Sequence, residues 1–155
     1  MALPMVNLEA ISIKNREAVV QSLVHSYVRD RETYSLLDND VRVRSVLTRS
    51  SGAAERSMRE LWSSDSPDYP ERKYGSNARM DVEILSVTLI TNDRAQVRLR
   101  KRLQDASGET EGMFTVTLAF HYETSEERPL DDVWTNPFGF AVYEYAITSD
   151  RLEAQ

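Results

Sequence analysis

The 155-residue sequence contains no cysteine, only two histidines, five glycines and five prolines. The lack of cysteine excludes disulfides, thiolate metal ligands and cysteine nucleophiles. With 41% hydrophobic residues and few glycines and prolines, the chain is neither collagen-like nor disordered. No segment approaches the roughly 20 apolar residues that a membrane-spanning helix needs, and residues 1–7 lack the pattern of a signal peptide. These absences predict one globular domain.

The charge is acidic overall, because 25 Asp and Glu residues outnumber 19 Lys and Arg residues and give a net charge of −6. Nucleic-acid-binding domains are usually basic, so this balance argues against one. Arg98, Arg100 and Arg102 recur at every second position and offer either an anion-binding row or a solvent-facing row. No aromatic residue is interleaved with them, which favours the solvent face. We therefore expect no nucleic-acid partner.

Apolar residues at helical spacing predict one long amphipathic helix over residues 15–36, with Asn15 as its N-cap. Two charged residues, Asp30 and Arg31, fall inside the apolar arc. A charge on a core-facing stripe requires a partner, so either this end of the helix is exposed or both residues form specific pairs. The stripe consists of Val19, Val20, Leu23, Val24, Tyr27, Val28, Tyr34 and Leu37.

Shorter helical patterns cover residues 38–50 and 54–62, and a segment rich in Pro, Ser and Gly over 65–78 predicts an extended connection. The period then changes from 3.6 to 2. Four strands follow, the first with a change of phase that indicates a β-bulge, and the last over residues 138–148. Helices followed by an antiparallel meander predict an α+β fold, with a curved four-stranded sheet wrapped on the long helix.

Little in the sequence points to chemistry. His25 and His121 are far apart, and no nucleophile, metal or phosphate-binding motif is present. Asp81, Glu83 and Glu123 leave open a small-ligand-binding protein or pocket enzyme with a carboxylate base. We expect no metal ion and no cofactor.

Three short stretches concentrate aromatic and polar residues, at 27–34, 73–79 and 134–140. In this order they resemble the periplasmic domain of the VirB8-like family, inner-membrane assembly factors of bacterial type IV secretion systems. The family patterns are matched by Tyr27, Val28, Arg31, Glu32 and Tyr34, by Tyr74 to Asn77, and by Asn136, Pro137, Gly139 and Phe140, with Val142 and Tyr145 following.

The resemblance implies a nuclear-transport-factor-like cone and a non-enzymatic scaffold that contacts other secretion components. It also implies a short cytoplasmic tail and a single membrane helix before the domain in the native protein. On this basis residues 1–14 are a lead-in, 15–150 the periplasmic domain and 151–155 a tail, with the anchor outside the sequence.

The motif residues have two interpretations. Asn136, Pro137 and Gly139 either form a turn that orients the last strand or contact a partner. Arg31 likewise either pairs inside the fold or faces a partner. The family resemblance further implies weak homodimerisation, and by position it assigns Val19, Ser22 and Leu23 on the first helix, with Tyr143 and Glu144 opposite.

Overall fold

The computed structural model describes residues 12–123 and 136–150, with Ile13 by its backbone alone. The elements in chain order are α1 (Ile13–Glu32), β1 (Tyr34–Ser35), α2 (Asn39–Thr48), α3 (Gly52–Leu61), α4 (Pro70–Tyr74), β2 (Arg79–Thr91), β3 (Arg94–Asp105), β4 (Gly108–Tyr122) and β5 (Phe140–Asp150). The five strands form one antiparallel sheet in the order β1-β2-β3-β4-β5. The fold is α+β, as predicted.

The ends of α1 differ from the prediction. Ser12, not Asn15, is the N-cap, because its Oγ accepts a hydrogen bond from the Asn15 N–H at 3.4 Å. The helix ends at Glu32, since Thr33 is extended and Tyr34 pairs with Met80 of β2. Leu37 is 98% exposed and so does not belong to the core stripe.

The middle of the chain gains two short elements. The two-residue β1 is a fifth strand that the alternation signal was too short to indicate. The predicted extended connection contains α4, where Pro70 occupies the first turn, since its fixed φ favours helix initiation. The two shorter predicted helices are confirmed as α2 and α3.

The sheet follows the predicted meander. The register between β2 and β3 shifts between Ile84 and Ser86, which confirms the expected bulge. The last strand begins at Phe140 instead of residue 138, because residues 136–139 form a turn.

The core lies between α1 and the curled sheet. The helix α1 packs on β2, and α3 packs on β5. The largest fully buried side chains are Tyr27, Phe120, Phe140, Met58, Leu99, Leu118, Val24, Val28, Val46, Val97 and Val116. In the described part of the chain, no helix combines the length and apolarity needed to cross a membrane.

Candidate functional site

Arg31, in the last turn of α1, is held inside the fold. Its guanidinium donates to the Tyr27 hydroxyl at 2.9 Å, to the Ala54 carbonyl at 3.1 Å and to Ser57 Oγ at 2.9 Å. Its Cζ lies 4.0 Å from the centroid of the Tyr145 ring, a cation–π contact. Of the two alternatives that the sequence left open, the structure shows Arg31 paired inside the fold, where it joins α1 to α3 and β5.

Glu32, the next residue, binds side chains of the sheet. Its carboxylate contacts Lys101 Nζ on β3 at 2.5 Å and accepts a hydrogen bond from the Tyr145 hydroxyl at 2.6 Å. The side chains of Glu32 and Lys101 are only 12% and 15% exposed. Burial, followed by the charge and hydrogen bond of Glu32, raises the pKa of Tyr145 well above its usual value, so its hydroxyl stays a donor. We call Tyr27, Arg31, Glu32, Lys101 and Tyr145 the inner network.

Asp30 is also paired. It binds Arg49 Nη2 at 2.9 Å, and the two side chains are 22% and 11% exposed. Arg49 ends α2 and accepts the Val142 N–H through its carbonyl at 2.9 Å. The adjacent Ser50 shares a 2.7 Å hydrogen bond with the Tyr27 hydroxyl. The α2–α3 junction is thereby joined both to α1 and to β5.

The second motif stretch meets the first at Tyr34. The Tyr34 hydroxyl donates to the Gly75 carbonyl at 2.6 Å, and its ring lies 5.2 Å from that of Tyr74 and 6.4 Å from that of Trp62. Burial and then the nearby Glu71 raise the pKa of Tyr34. Two stretches 40 residues apart in sequence thus close one end of the domain.

The third stretch forms a turn. The Asn136 side chain donates to the Phe140 carbonyl at 2.7 Å and accepts the Phe140 N–H at 3.0 Å, while Gly139 adopts a positive φ of 65°. Phe140 then enters the core, with its ring centroid 6.5 Å from Tyr27 and 5.3 Å from Phe120. Of the two interpretations, the geometry is that of a turn that orients the last strand, and Pro137 lies partly buried within it.

The residues assigned to self-association occupy two separate elements. Val19, Ser22 and Leu23 lie near the middle of α1, where Ser22 is exposed and Leu23 packs against the core. On β5, the Tyr143 ring contacts His121 at 5.4 Å and the exposed Glu144 pairs with Arg94 at 3.4 Å. The assignment of these five residues stays a prediction.

The carboxylates considered for acid–base chemistry lie on the surface. Asp81 and Glu83 pair with Arg79 and Arg100, and their side chains are 40% and 61% exposed. Glu123, 46% exposed, lies 3.8 Å from His121. None of the three lines the cavity that lies between α2, the end of α3 and α4. The geometry therefore offers no support for the enzyme alternative.

The arginine row is paired with acidic residues. Arg100 binds Glu83 at 2.6 Å, and Arg102 binds Glu109 and Glu111 at 2.8 and 2.9 Å. Arg98 lies 3.9 Å from Asp150. The row is thus a neutralised, solvated face, as its sequence pattern favours. Among the described residues, no group of His, Asp and Glu is arranged to hold a metal ion.

Sequence reasoning missed the roles of Lys101 and Arg49. Lys101 lies between Arg100 and Arg102 in the sequence, but it shares the inward parity of Val97 and Leu99. That parity was the available signal, since a cation on the core side of a strand needs a buried partner. Nothing comparable marked Arg49, whose partner lies 19 residues earlier on another helix.

Comparisons with known proteins agree with this architecture. The model of the VirB8 protein family matches residues 2–150. The chain is 32% identical over 89 residues to the type IV secretion system protein PtlE of Bordetella pertussis, covering 56% of this chain and 38% of that protein. It is 25% identical over 147 residues to protein virB8 of Agrobacterium tumefaciens, covering 95% of this chain and 64% of that protein. The chain spans less than two thirds of the length of these relatives.

Two solved structures show the same fold. The Agrobacterium tumefaciens VirB8 protein superposes with a TM-score of 0.85 at 23% identity, covering 93% of this chain and 99% of that one. A TrwG component of a type IV secretion system from Bartonella birtlesii gives 0.79 at 21% identity, covering 89% and 95%. With the family match, the nuclear-transport-factor-like fold and the three motif stretches joined as described, the chain belongs to the VirB8 family.

Proposed function

We propose that this chain is the periplasmic domain of an inner-membrane-anchored assembly component of a bacterial type IV secretion system, and that it acts by binding other proteins and not by catalysis. The observation that carries the proposal is the family match over residues 2–150. The names of the relatives agree, since PtlE and virB8 are type IV secretion system proteins.

The geometry supports a role in contact. In the inner network, Arg31 binds the Tyr27 hydroxyl and Glu32 binds Lys101, and none of these residues lines the cavity between α2, the end of α3 and α4. Such a network fixes the relative positions of α1, β3 and β5. A rigid frame of this kind suits a scaffold whose outer surfaces must be presented to several proteins.

The test is genetic and uses the full-length native protein. Deletion of its gene in the organism that carries the secretion system should abolish transfer of DNA or effector proteins, and re-expression should restore it. The anchored protein should also co-purify with other secretion components. Normal transfer in the deletion strain would overturn the proposal.

We also propose that the domain self-associates weakly through Val19, Ser22 and Leu23 of one copy against Tyr143 and Glu144 of another. Ser22 and Glu144 are exposed and available for contact. Ser22 is small, so it permits a close approach of the partner.

Ser22→Arg is the sharpest variant for this interface, because Leu23 packs against the core and its replacement could unfold the domain. We expect Ser22→Arg to shift sedimentation velocity toward monomer with an unchanged circular dichroism spectrum. Thr88→Arg adds the same charge at an exposed position on β2 and serves as the matched control. An equal shift for both variants, or none for Ser22→Arg, would contradict the assignment.

A further inference from the structure

A cavity of about 290 Å³ lies away from the inner network, between α2, the end of α3 and the loop that leads into α4. Its apolar wall consists of Val43, Leu47 and Trp62, and Tyr69 adds a second aromatic ring. The Trp62 and Tyr69 rings meet edge-on, with centroids 6.3 Å apart. The volume is near the lower limit of about 300 Å³ for small-molecule pockets, so the cavity suits one long side chain.

The polar wall of this cavity is mainly acidic. Asp40 and Glu71 both line it, with Arg44 as the one cation among its lining residues. Glu71 accepts a hydrogen bond from the Tyr69 hydroxyl at 3.1 Å. The pKa of Tyr69 is raised by that hydrogen bond, then by burial and by the charges of Glu71 and Asp40. Both carboxylates therefore influence the Tyr69 side chain in the cavity. Asp40 forms no ion pair with any described residue.

The loop beside the cavity strengthens the negative charge. Residues 62–69, between α3 and α4, include Asp65 and Asp68 and no Lys or Arg. Arg72, the next residue, donates to the carbonyls of Ser64 and Ser66 and lies 5.6 Å from the Tyr69 ring centroid. The Arg72 guanidinium therefore binds the loop backbone and does not line the cavity. Two carboxylates and one cation remain among the lining residues.

Two exposed apolar side chains lie within three residues of Asp40, which lines the cavity. Val41 is 68% exposed and lies three residues before Arg44, so the two share one side of α2. Leu37, just before the helix, is 98% exposed. Exposed apolar side chains beside a pocket are typical of protein-binding surfaces.

We propose that this cavity binds a lysine or arginine side chain of another protein, with a neighbouring apolar residue of that protein on Leu37 and Val41. The carboxylates of Asp40 and Glu71 receive the cation, and the Trp62 and Tyr69 rings contact its aliphatic stem and charged end. The identity of the partner as a secretion component rests on the assembly function proposed above, whereas the chemistry of the site does not.

The test uses three synthetic peptides on the purified chain at low ionic strength, acetyl-Leu-Arg-Leu-amide and its Gln and Glu analogues. Proton–nitrogen NMR spectra follow the titration, with the Trp62 indole N–H as the reporter, assigned by comparison with Trp134→Phe. We expect the arginine peptide to shift signals of α2 and Trp62, with at least about threefold weaker binding of the glutamine peptide. Equal binding of the three peptides, or a preference for the glutamate peptide, would overturn the proposal.

Matched double variants locate the site. Asp40→Asn with Glu71→Gln removes two charges from the cavity, and Asp65→Asn with Asp68→Asn removes two from the adjacent loop, outside its lining. We expect the first pair to weaken the arginine peptide about fivefold and the second less than twofold. Arg44→Gln should tighten binding about twofold by removing a repelling charge. Equal weakening by the two pairs, or weaker binding of Arg44→Gln, would contradict the site.

The outcomes separate this proposal from the one it follows. Peptide binding by the purified chain does not depend on secretion. If no peptide binds, the proposal for the cavity is rejected and the proposed assembly function is unaffected. Normal transfer in the deletion strain would reject the assembly function and leave the proposal for the cavity unaffected. A shift toward monomer on sedimentation of Asp40→Asn with Glu71→Gln would identify a second copy of this chain as the occupant and overturn the proposal.

Discussion

Neighbouring cations on β3 face two different environments. Lys101 points to the core side, is 15% exposed and contacts Glu32 at 2.5 Å. Arg100, one residue earlier, points outward, is 37% exposed and contacts Glu83 at 2.6 Å. Strand alternation alone separates them. The two pairs have the same charges and similar distances, yet their surroundings give them different consequences for stability.

The difference lies in solvation. An exposed pair gains little, because water and salt screen it and two long side chains lose freedom. A buried pair contributes little net stability as a pair, but the loss of one partner leaves an uncompensated charge in the interior. Separation of α1 from the sheet would leave Glu32 or Lys101 without its partner, so this pair holds α1 in position. The Glu83–Arg100 pair belongs to a solvated face.

The largest predicted effect comes from neutralising the inner glutamate. Glu32→Gln should lower the free energy of unfolding by about 2 to 3 kcal/mol, because Lys101 keeps its buried charge without a counter-charge. Glu83→Gln, the matched change on the outer face, should lower it by less than about 0.5 kcal/mol. Urea unfolding followed by circular dichroism measures both values.

Salt provides the control for this pair of variants. Raising NaCl to 0.5 M should abolish the small effect of Glu83→Gln and leave most of the effect of Glu32→Gln, since buried charges are screened much less. Equal losses of stability for the two variants would show that the inner pair is solvated and that the comparison fails.

A smaller effect is predicted when both inner partners are replaced. Glu32→Gln combined with Lys101→Met removes the charge of each partner, and methionine keeps most of the lysine stem's apolar contact. The double variant should be within about 1 kcal/mol of the original chain in urea unfolding, and hence more stable than Glu32→Gln alone. If the two changes simply add, the loss comes from packing and not from an unpaired charge.

Much of the frame could be predicted from local pattern. The long helix, the α2 and α3 helices, the bulge in β2 and the turn at Asn136 all follow from spacing and turn chemistry within a few residues. What failed depended on distant partners. The helix stops at Glu32 because Tyr34 pairs with Met80, and that pairing has no local signal.

The candidate site was predicted only in part. The motif residues Tyr27, Arg31 and Glu32 were identified by resemblance, but their partners come from other elements brought close by the fold. The cavity residues had no signal, since Asp40 and Glu71 lie 31 residues apart on separate helices. Asp40 and Glu71 are brought together only by the packing of α2 against the loop before α4.

A further contrast concerns two tyrosines, one inside the inner network and one outside it. Tyr145 donates to Glu32, whereas the buried Tyr122 hydroxyl has no hydrogen-bond partner among the described residues. Tyr145→Phe should therefore cost about 1.5 kcal/mol in urea unfolding, and Tyr122→Phe should be neutral or slightly stabilising. A larger loss for Tyr122→Phe would show that its hydroxyl has a structural partner.

Alkaline pH tests the same contrast. Burial raises the pKa of Tyr122 to about 12, and that of Tyr145 is raised well above its usual value by burial and Glu32. Both hydroxyls stay protonated in the native state at a pH where the unfolded chain, with tyrosine pKa values near 10, releases its protons. The free energy of unfolding is thus unaffected by these groups below pH 10 and falls as the pH rises toward 12. Each Tyr→Phe variant should reduce the slope of this fall in urea unfolding between pH 9.5 and 11.5. An unchanged slope in Tyr145→Phe would mean that this hydroxyl ionises normally, and that the inner network is open to water.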